Sequence, residues 1–281
     1  MVKRTGITLL ELLVAMAIVS LLMGLLLVSI QKVRQAAKDL GAKNDYKQIV
    51  LAAHGFEAEH GSFPTSGRAE SSFFLAEILP YLEILPPYST DGHLNGTHHL
   101  KIPIYINKSD PSLIHQATDF LAYSGPASLS INAYALQGTP TAARFQDGLS
   151  NTLGFTDHYH YTKKRRNWTL WTGLNLDSNI IYDENSFHEA KSAVFADKMW
   201  RDALPVTSGS PAQSRCSIPG KTFQHMPTFE ESDGRLVQSF SPGGLKVAMM
   251  DGSVRTIHPG VSETAFWAAV TPAGSEVAGL D

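Results

Sequence analysis

The chain of 281 residues has a single cysteine, Cys216, so no internal disulfide can form. A lone cysteine without catalytic surroundings reads as a small packed side chain, and cysteine usage leaves the compartment unmarked. Charge is also sparse: Asp, Glu, Lys and Arg make up 17% of the residues, with a formal net charge of -3. The basic field of a nucleic-acid binder is missing, and no nucleic-acid partner is expected. The longest basic run, Lys163-Lys164-Arg165-Arg166, reads as a solvated loop. There is no Walker loop, no dinucleotide fingerprint and no Gly-x-Ser-x-Gly elbow. Ser124-Gly125 and Ser241-Pro242 have no identifiable partner histidine, so no activated nucleophile and no enzyme activity are expected. Proline is absent before Pro64, which leaves the first part of the chain free to be one long helix.

What is present begins at the N-terminus. Met1-Val2-Lys3-Arg4-Thr5-Gly6 carries two positive charges, Lys3 and Arg4, and no acid. The stretch from Ile7 to Ile30 then contains one charged residue, Glu11. As a helix rising about 1.5 Å per residue it spans roughly 36 Å, enough to cross a bilayer core of about 30 Å. Lys3 and Arg4 would keep the leading end in the cytoplasm. A secretory signal would be shorter and would end in a small-x-small cleavage site, whereas this stretch runs on through Gln31-Lys32-Val33-Arg34. A plain anchor leaves Glu11 unexplained, because a carboxylate in a membrane helix costs about 2.5–3.5 kcal/mol on insertion scales.

Gly6-Ile7-Thr8-Leu9-Leu10-Glu11-Leu12 resembles the processing site of type IV prepilins. The resemblance implies cleavage between Gly6 and Ile7 by a prepilin peptidase and methylation of the new amine on Ile7, where most relatives have Phe. It also implies that Glu11 serves assembly by pairing with the Ile7 amine of a neighbouring subunit, which offsets its burial. The expected partners are the prepilin peptidase, other pilin or pseudopilin subunits, the inner-membrane assembly platform and the lipid bilayer. The expected organisation is a leader over residues 1–6, a transmembrane half-helix over 7–30 and an extracytoplasmic domain over 31–281.

Further blocks resemble one prepilin family whose domain has no defined biochemical role. They include Ala42-Lys43-Asn44-Asp45-Tyr46, His60-Gly61-Ser62-Phe63-Pro64, Ser109-Asp110-Pro111, Asp147-Gly148-Leu149-Ser150-Asn151 and Asp251-Gly252-Ser253. That family carries a C-terminal signature of His, nine residues, then Asp-Gly. Ser241 stands at the histidine position here, before Asp251-Gly252, and serine can replace a histidine whose role is a local hydrogen bond. Two positions that are commonly Cys in the family are Ala42 and Asn107 here. Their joint absence is what a lost disulfide would leave, which implies that the two lie close together in the fold.

The fold class expected is α+β: a long N-terminal helix packed on an antiparallel sheet with large loop insertions. The helix should run from about Thr8 to His60, ended by Gly61 and Pro64. In its second half Val33, Ala36, Ala37, Leu40, Tyr46, Ile49, Val50, Ala53 and Phe56 recur at helical spacing and offer a face to a sheet. Near the C-terminus Lys246-Val247-Ala248-Met249-Met250 and Ser253-Val254-Arg255-Thr256-Ile257 flank Asp251-Gly252, the pattern of a hairpin with a type I′ turn. Asp147-Gly148 and Asp233-Gly234 read as turns, and residues 206–219 as a loop.

Candidate ligand sites are weak. His98-His99 and His158-Tyr159-His160 place imidazoles together, and on a strand the second pair would share a face, but no carboxylate or thiol stands at supporting spacing. Asp177 to Glu184 supplies oxygen ligands for calcium without the spacing of an EF-hand, so no cofactor or metal is expected, calcium being the one to check. The alternative function is a membrane-tethered binding module for a saccharide or surface ligand, with Trp168, Trp171, Trp200 and Trp267 as stacking platforms; core packing explains these residues more simply.

Overall fold

The computed structural model of the chain describes residues 6, 8–65, 74–84, 101–115, 127–132, 135–136, 140–163, 167–170, 189–192, 194–196, 221–234 and 236–272. Helix α1 is one uninterrupted element, Leu9–His60. It ends where the sequence places its stop. Gly61 takes φ +74°, its N–H donates to the Glu57 carbonyl at 2.8 Å, and Pro64 cannot extend the helix.

The chain divides into two compact units, Met1–Gly41 and Ala42–Asp281. The covered face of α1 begins at Ala42 and continues through Tyr46, Ile49, Val50 and Ala53, all buried. The expectation that this face starts at Val33 is corrected: Val33 is 68% exposed and Leu40 69%. Residues 33–40 keep the apolar helical repeat, but its large members, Val33 and Leu40, are exposed.

The main sheet has five strands in the order β10-β9-β2-β1-β6. They are β1 (Leu129–Asn132), β2 (Leu153–Asp157), β6 (Val194–Phe195), β9 (Leu245–Met249) and β10 (Val254–Ile257). Four of these run antiparallel, as expected, whereas β6 adds to β1 in parallel. Smaller sheets join β3 (Tyr161–Thr162), β4 (Asn167–Leu170) and β5 (Glu189–Ser192), and β7 (Gln224–His225) with β8 (Gln238–Ser239).

Both faces of the main sheet are covered. On one, Ile49, Val50 and Ala53 of α1 pack with Leu129, Ile131, Phe155, Ala248 and Met250, joined by Phe74 and Leu75 of the short helix α2 (Phe74–Glu77). On the other, Phe266, Ala269 and Val270 of α3 (Glu263–Val270) pack with Leu153, Leu245, Val247 and Met249. Double coverage explains why every residue of β2 and β9 is buried, since a sheet with one wet face would alternate. Each large apolar side chain so enclosed contributes about 1.5–3 kcal/mol. The cap of α3 comes from Ser262, whose hydroxyl accepts from the Ala265 N–H at 3.2 Å.

Candidate functional site

The N-terminal site is built on the first turn of α1. Gly6 is exposed, while Ile7, Lys3 and Arg4 lie outside the described residues. The Thr8 N–H and hydroxyl both donate to Glu11 Oε2, at 2.8 and 2.9 Å, and the Glu11 N–H donates to Thr8 Oγ1 at 3.3 Å. This is a capping box, with the hydroxyl and the carboxylate each satisfying a backbone donor that the helix start leaves without a partner. Reading Glu11 as an assembly residue alone missed it, although Thr8-x-x-Glu11 ahead of an apolar run is its sequence signature.

Beyond the cap, α1 presents Leu9, Leu10, Leu12, Leu13, Met16, Leu21, Leu22 and Leu25 at 57–81% exposure. Its most apolar window has a mean hydropathy of 2.8, and none of the window's residues is buried. The polar side chains here turn inward to the helix: Ser20 Oγ donates to the Ala17 carbonyl and Ser29 Oγ to the Leu25 carbonyl, at 2.9 and 3.1 Å. A helix so arranged exposes hydrocarbon to its surroundings and keeps its hydrogen-bonding groups occupied, as a bilayer demands.

The C-terminal hairpin forms between β9 and β10, with Val254 opposite Ala248. Its turn differs from the expected type I′. The Gly252 N–H donates to the Met249 carbonyl at 3.0 Å and the Met249 N–H to the Ser253 carbonyl at 2.9 Å, which closes a three-residue loop. Such a loop needs one left-handed residue, and Gly252 supplies it at φ +86° while Asp251 stays out of that region. The Asp251 carboxylate instead accepts from the Ser253 N–H at 2.8 Å. Ser241 is buried in the turn that leads into β9, where its carbonyl accepts from the Gly244 N–H at 3.1 Å and its hydroxyl from the Gly243 N–H at 3.4 Å. These are local structural bonds.

A buried polar cluster, which sequence reasoning missed, lies between α1 and the sheet. The Tyr46 hydroxyl and the Asn107 amide both donate to Asp157 Oδ1, at 2.6 and 3.2 Å. Lys246 Nζ lies 4.0 Å from Asp157 Oδ2, with side-chain exposures of 2% and 0%. Burial pushes the Asp157 carboxyl up to about 6, although the Lys246 charge and the two donors pull the other way. Burial and the adjacent Asp157 raise the Tyr46 phenol well above its ordinary value. A second buried acid, Asp110, accepts from the Ser112 N–H and hydroxyl, the Ser128 hydroxyl and the His160 N–H at 2.6–2.8 Å.

The remaining candidates do not converge. His158 and His160 lie between β2 and β3, not on a strand, and both are buried. His158 Nδ1 is 2.7 Å from the Tyr159 carbonyl, a local contact. His98, His99 and the stretch Asp177 to Glu184 lie outside the described residues, among which no cluster of His, Cys, Asp and Glu could hold a metal. Trp171 and Trp200 are likewise outside them, and Trp267, itself a residue of α3, is partly buried against the core with its ring edge-on to Phe266 at 5.4 Å.

Comparison with known proteins finds matches to two family descriptions. Residues 1–27 match the prokaryotic N-terminal methylation motif. Residues 31–111 and 86–261 match a family described as proteins of unknown function, DUF1559, so well over half of the chain is accounted for. No curated protein and no solved structure matches. The motif implies processing by a prepilin peptidase and assembly with other pilins, and the apolar helix is consistent with membrane anchoring. With the methylation motif on an exposed apolar helix and an α+β domain behind it, the chain belongs to the DUF1559 family and is a type IV pilin-like or pseudopilin-like protein.

Proposed function

We propose that the protein is a subunit of an envelope filament, a type IV pilus or a type II secretion pseudopilus. Prepilin peptidase cuts after Gly6, the Ile7 amine is methylated, and the apolar half of α1 holds the subunit in the cytoplasmic membrane as a single span. Residues 31–281 then lie outside the cytoplasm. The observation that carries this reading is Glu11 at the first turn of a helix whose next residues are wholly exposed and apolar. In the free chain its carboxylate is held by Thr8. On assembly it exchanges those bonds for the charged Ile7 amine of a neighbour, a stronger partner in a low-dielectric surrounding. The domain works without a cofactor, performs no turnover and does not bind nucleic acid.

The test is incorporation. Glu11→Ala protein should be processed at Gly6 yet be lost from sheared filament preparations or from the secretion complex. Wild-type protein that stays entirely with the membrane would favour a tethered binding module instead.

A further inference from the structure

Lys246 and Asp157 face each other within the sheet. The ladder pairs Thr156 with Val247, which sets Asp157 of β2 beside Lys246 of β9. Two residues along on each strand, Phe155 and Ala248 belong to the core against α1, so the pair points into that same layer. The two Asp157 oxygens have different environments. Oδ1 receives both side-chain donors, Tyr46 at 2.6 Å and Asn107 at 3.2 Å, whereas Oδ2 faces Lys246 Nζ at 4.0 Å.

That arrangement fits a reaction better than an ion pair. Charges sealed at this depth lose most of their attraction to the cost of leaving water, and the distance exceeds a hydrogen bond. Condensation consumes an amine and an acid in their neutral forms, which one proton transfer within the pair supplies. The raised carboxyl of Asp157 accords with this.

We propose that Lys246 and Asp157 condense into an intramolecular isopeptide bond. Lys246 Nζ attacks Asp157 Cγ, and the developing negative charge falls on Oδ1, where the Tyr46 hydroxyl and the Asn107 amide already point. The Cγ–Oδ2 bond then breaks. Oδ2 leaves as water with the acid proton and one amine proton, and Oδ1 remains as the amide carbonyl. No oxidant or cofactor is needed, and the fold supplies the proximity. The product ties β2 to β9 across a loop of roughly 90 residues, a covalent brace for a chain whose single cysteine cannot make one within itself.

Intact-mass measurement of full-length protein, purified from membranes in detergent, tests this directly. After allowance for N-terminal processing, the protein should weigh one water less than its sequence. Its digest should contain one branched peptide joining Lys246 to Asp157. Lys246→Arg keeps the charge but should restore the full mass, and Tyr46→Phe should slow closure at least tenfold, leaving a full-mass population. Aspartyl succinimides at Asp-Gly sites also lose water but are opened by hydroxylamine, which the amide should survive. A full-mass wild type overturns the proposal whatever the variants do, as does a water loss that hydroxylamine reverses or that Lys246→Arg retains.

Discussion

His54 Nε2 lies 2.7 Å from the Met250 carbonyl, so α1 is held to the tip of the C-terminal hairpin by a side chain and a backbone group nearly two hundred residues apart. The Met250 and Asp251 N–H groups donate to the Thr152 and Leu149 carbonyls at 2.9 and 3.1 Å, which locks the same turn from the other side. A turn gripped this way has little freedom to absorb a change at Gly252, and Gly244, at the opposite end of β9 beside Ile257, has less room still. Gly252→Ala places a side chain at φ +86° and should cost about 1–2 kcal/mol. In Gly244→Ala the new Cβ would fall 2.0 Å from the Ile257 carbonyl oxygen, a collision with backbone that cannot move aside. Thermal unfolding should therefore rank Gly244→Ala well below Gly252→Ala; equal melting temperatures would contradict the hairpin geometry.

Acid pH should bring out the buried carboxyl of Asp110. Burial raises it above the ordinary 3.8, and the bonds from Ser112, His160 and Ser128 only partly reverse this. A group with a raised folded pKa binds protons more readily in the native state. Its contribution is complete below pH 3.8 and is lost as pH rises through the folded value. Asp110→Asn cannot titrate, so the wild-type melting temperature minus that of the variant should shrink as pH rises from about 4 towards neutral. A gap that is constant or widens would show that the carboxyl is not raised.

The capping box predicts a separation of roles at the N-terminus. Thr8→Val removes the hydroxyl that receives the Glu11 N–H and should cost about 1 kcal/mol of helix stability. Hydrogen exchange in the first turn should quicken in detergent, while processing should still give a mature chain beginning at methylated Ile7. Unchanged exchange would mean that the helix start is held by something other than Thr8.

The pair Ala42 and Asn107 can be checked by oxidation. Ala42 opens the buried face of α1, and Asn107 shares Asp157 Oδ1 with Tyr46, one helical turn beyond Ala42. Lys108 acts electrostatically on Asp45, which puts the same loop beside the same turn of helix. An Ala42→Cys/Asn107→Cys protein with Cys216 replaced should close a bond on oxidation, with a gain of roughly 4 kcal/mol in the chain-entropy model for a loop of about 65 residues. A pair that stays reduced under oxidants would mean that the two Cα atoms lie beyond the reach of a disulfide, about 7 Å.

What the sequence made legible is what local rules control. The end of α1 follows from Gly61 and Pro64, and the hairpin from Asp251-Gly252 between two apolar runs. The turn type did not follow, because a two-residue and a three-residue loop share the same dipeptide. α3 was overlooked despite the Ser262 cap before Glu263, since its eight residues are too short for periodicity to stand out. The cluster around Asp157 was beyond local reading altogether. Tyr46 and Asp157 are 111 residues apart and meet only because four strands and a helix stack in one register. Similarly, nothing in Val194-Phe195 announces a parallel partner in Ile131-Asn132.

The outer strands of the main sheet set a limit on how copies of this protein can meet. At one margin β6 is two residues long, too short to template a growing ladder. At the other, β10 turns Arg255 and Thr256 to solvent, a charged and hydroxylated border that resists edge-to-edge stacking with a second sheet. Were the domains crowded as in the proposed filament, such margins would keep them from fusing into cross-β aggregates. In the filament proposed above, association is left to α1, whose exposed apolar surface takes part in no strand pairing.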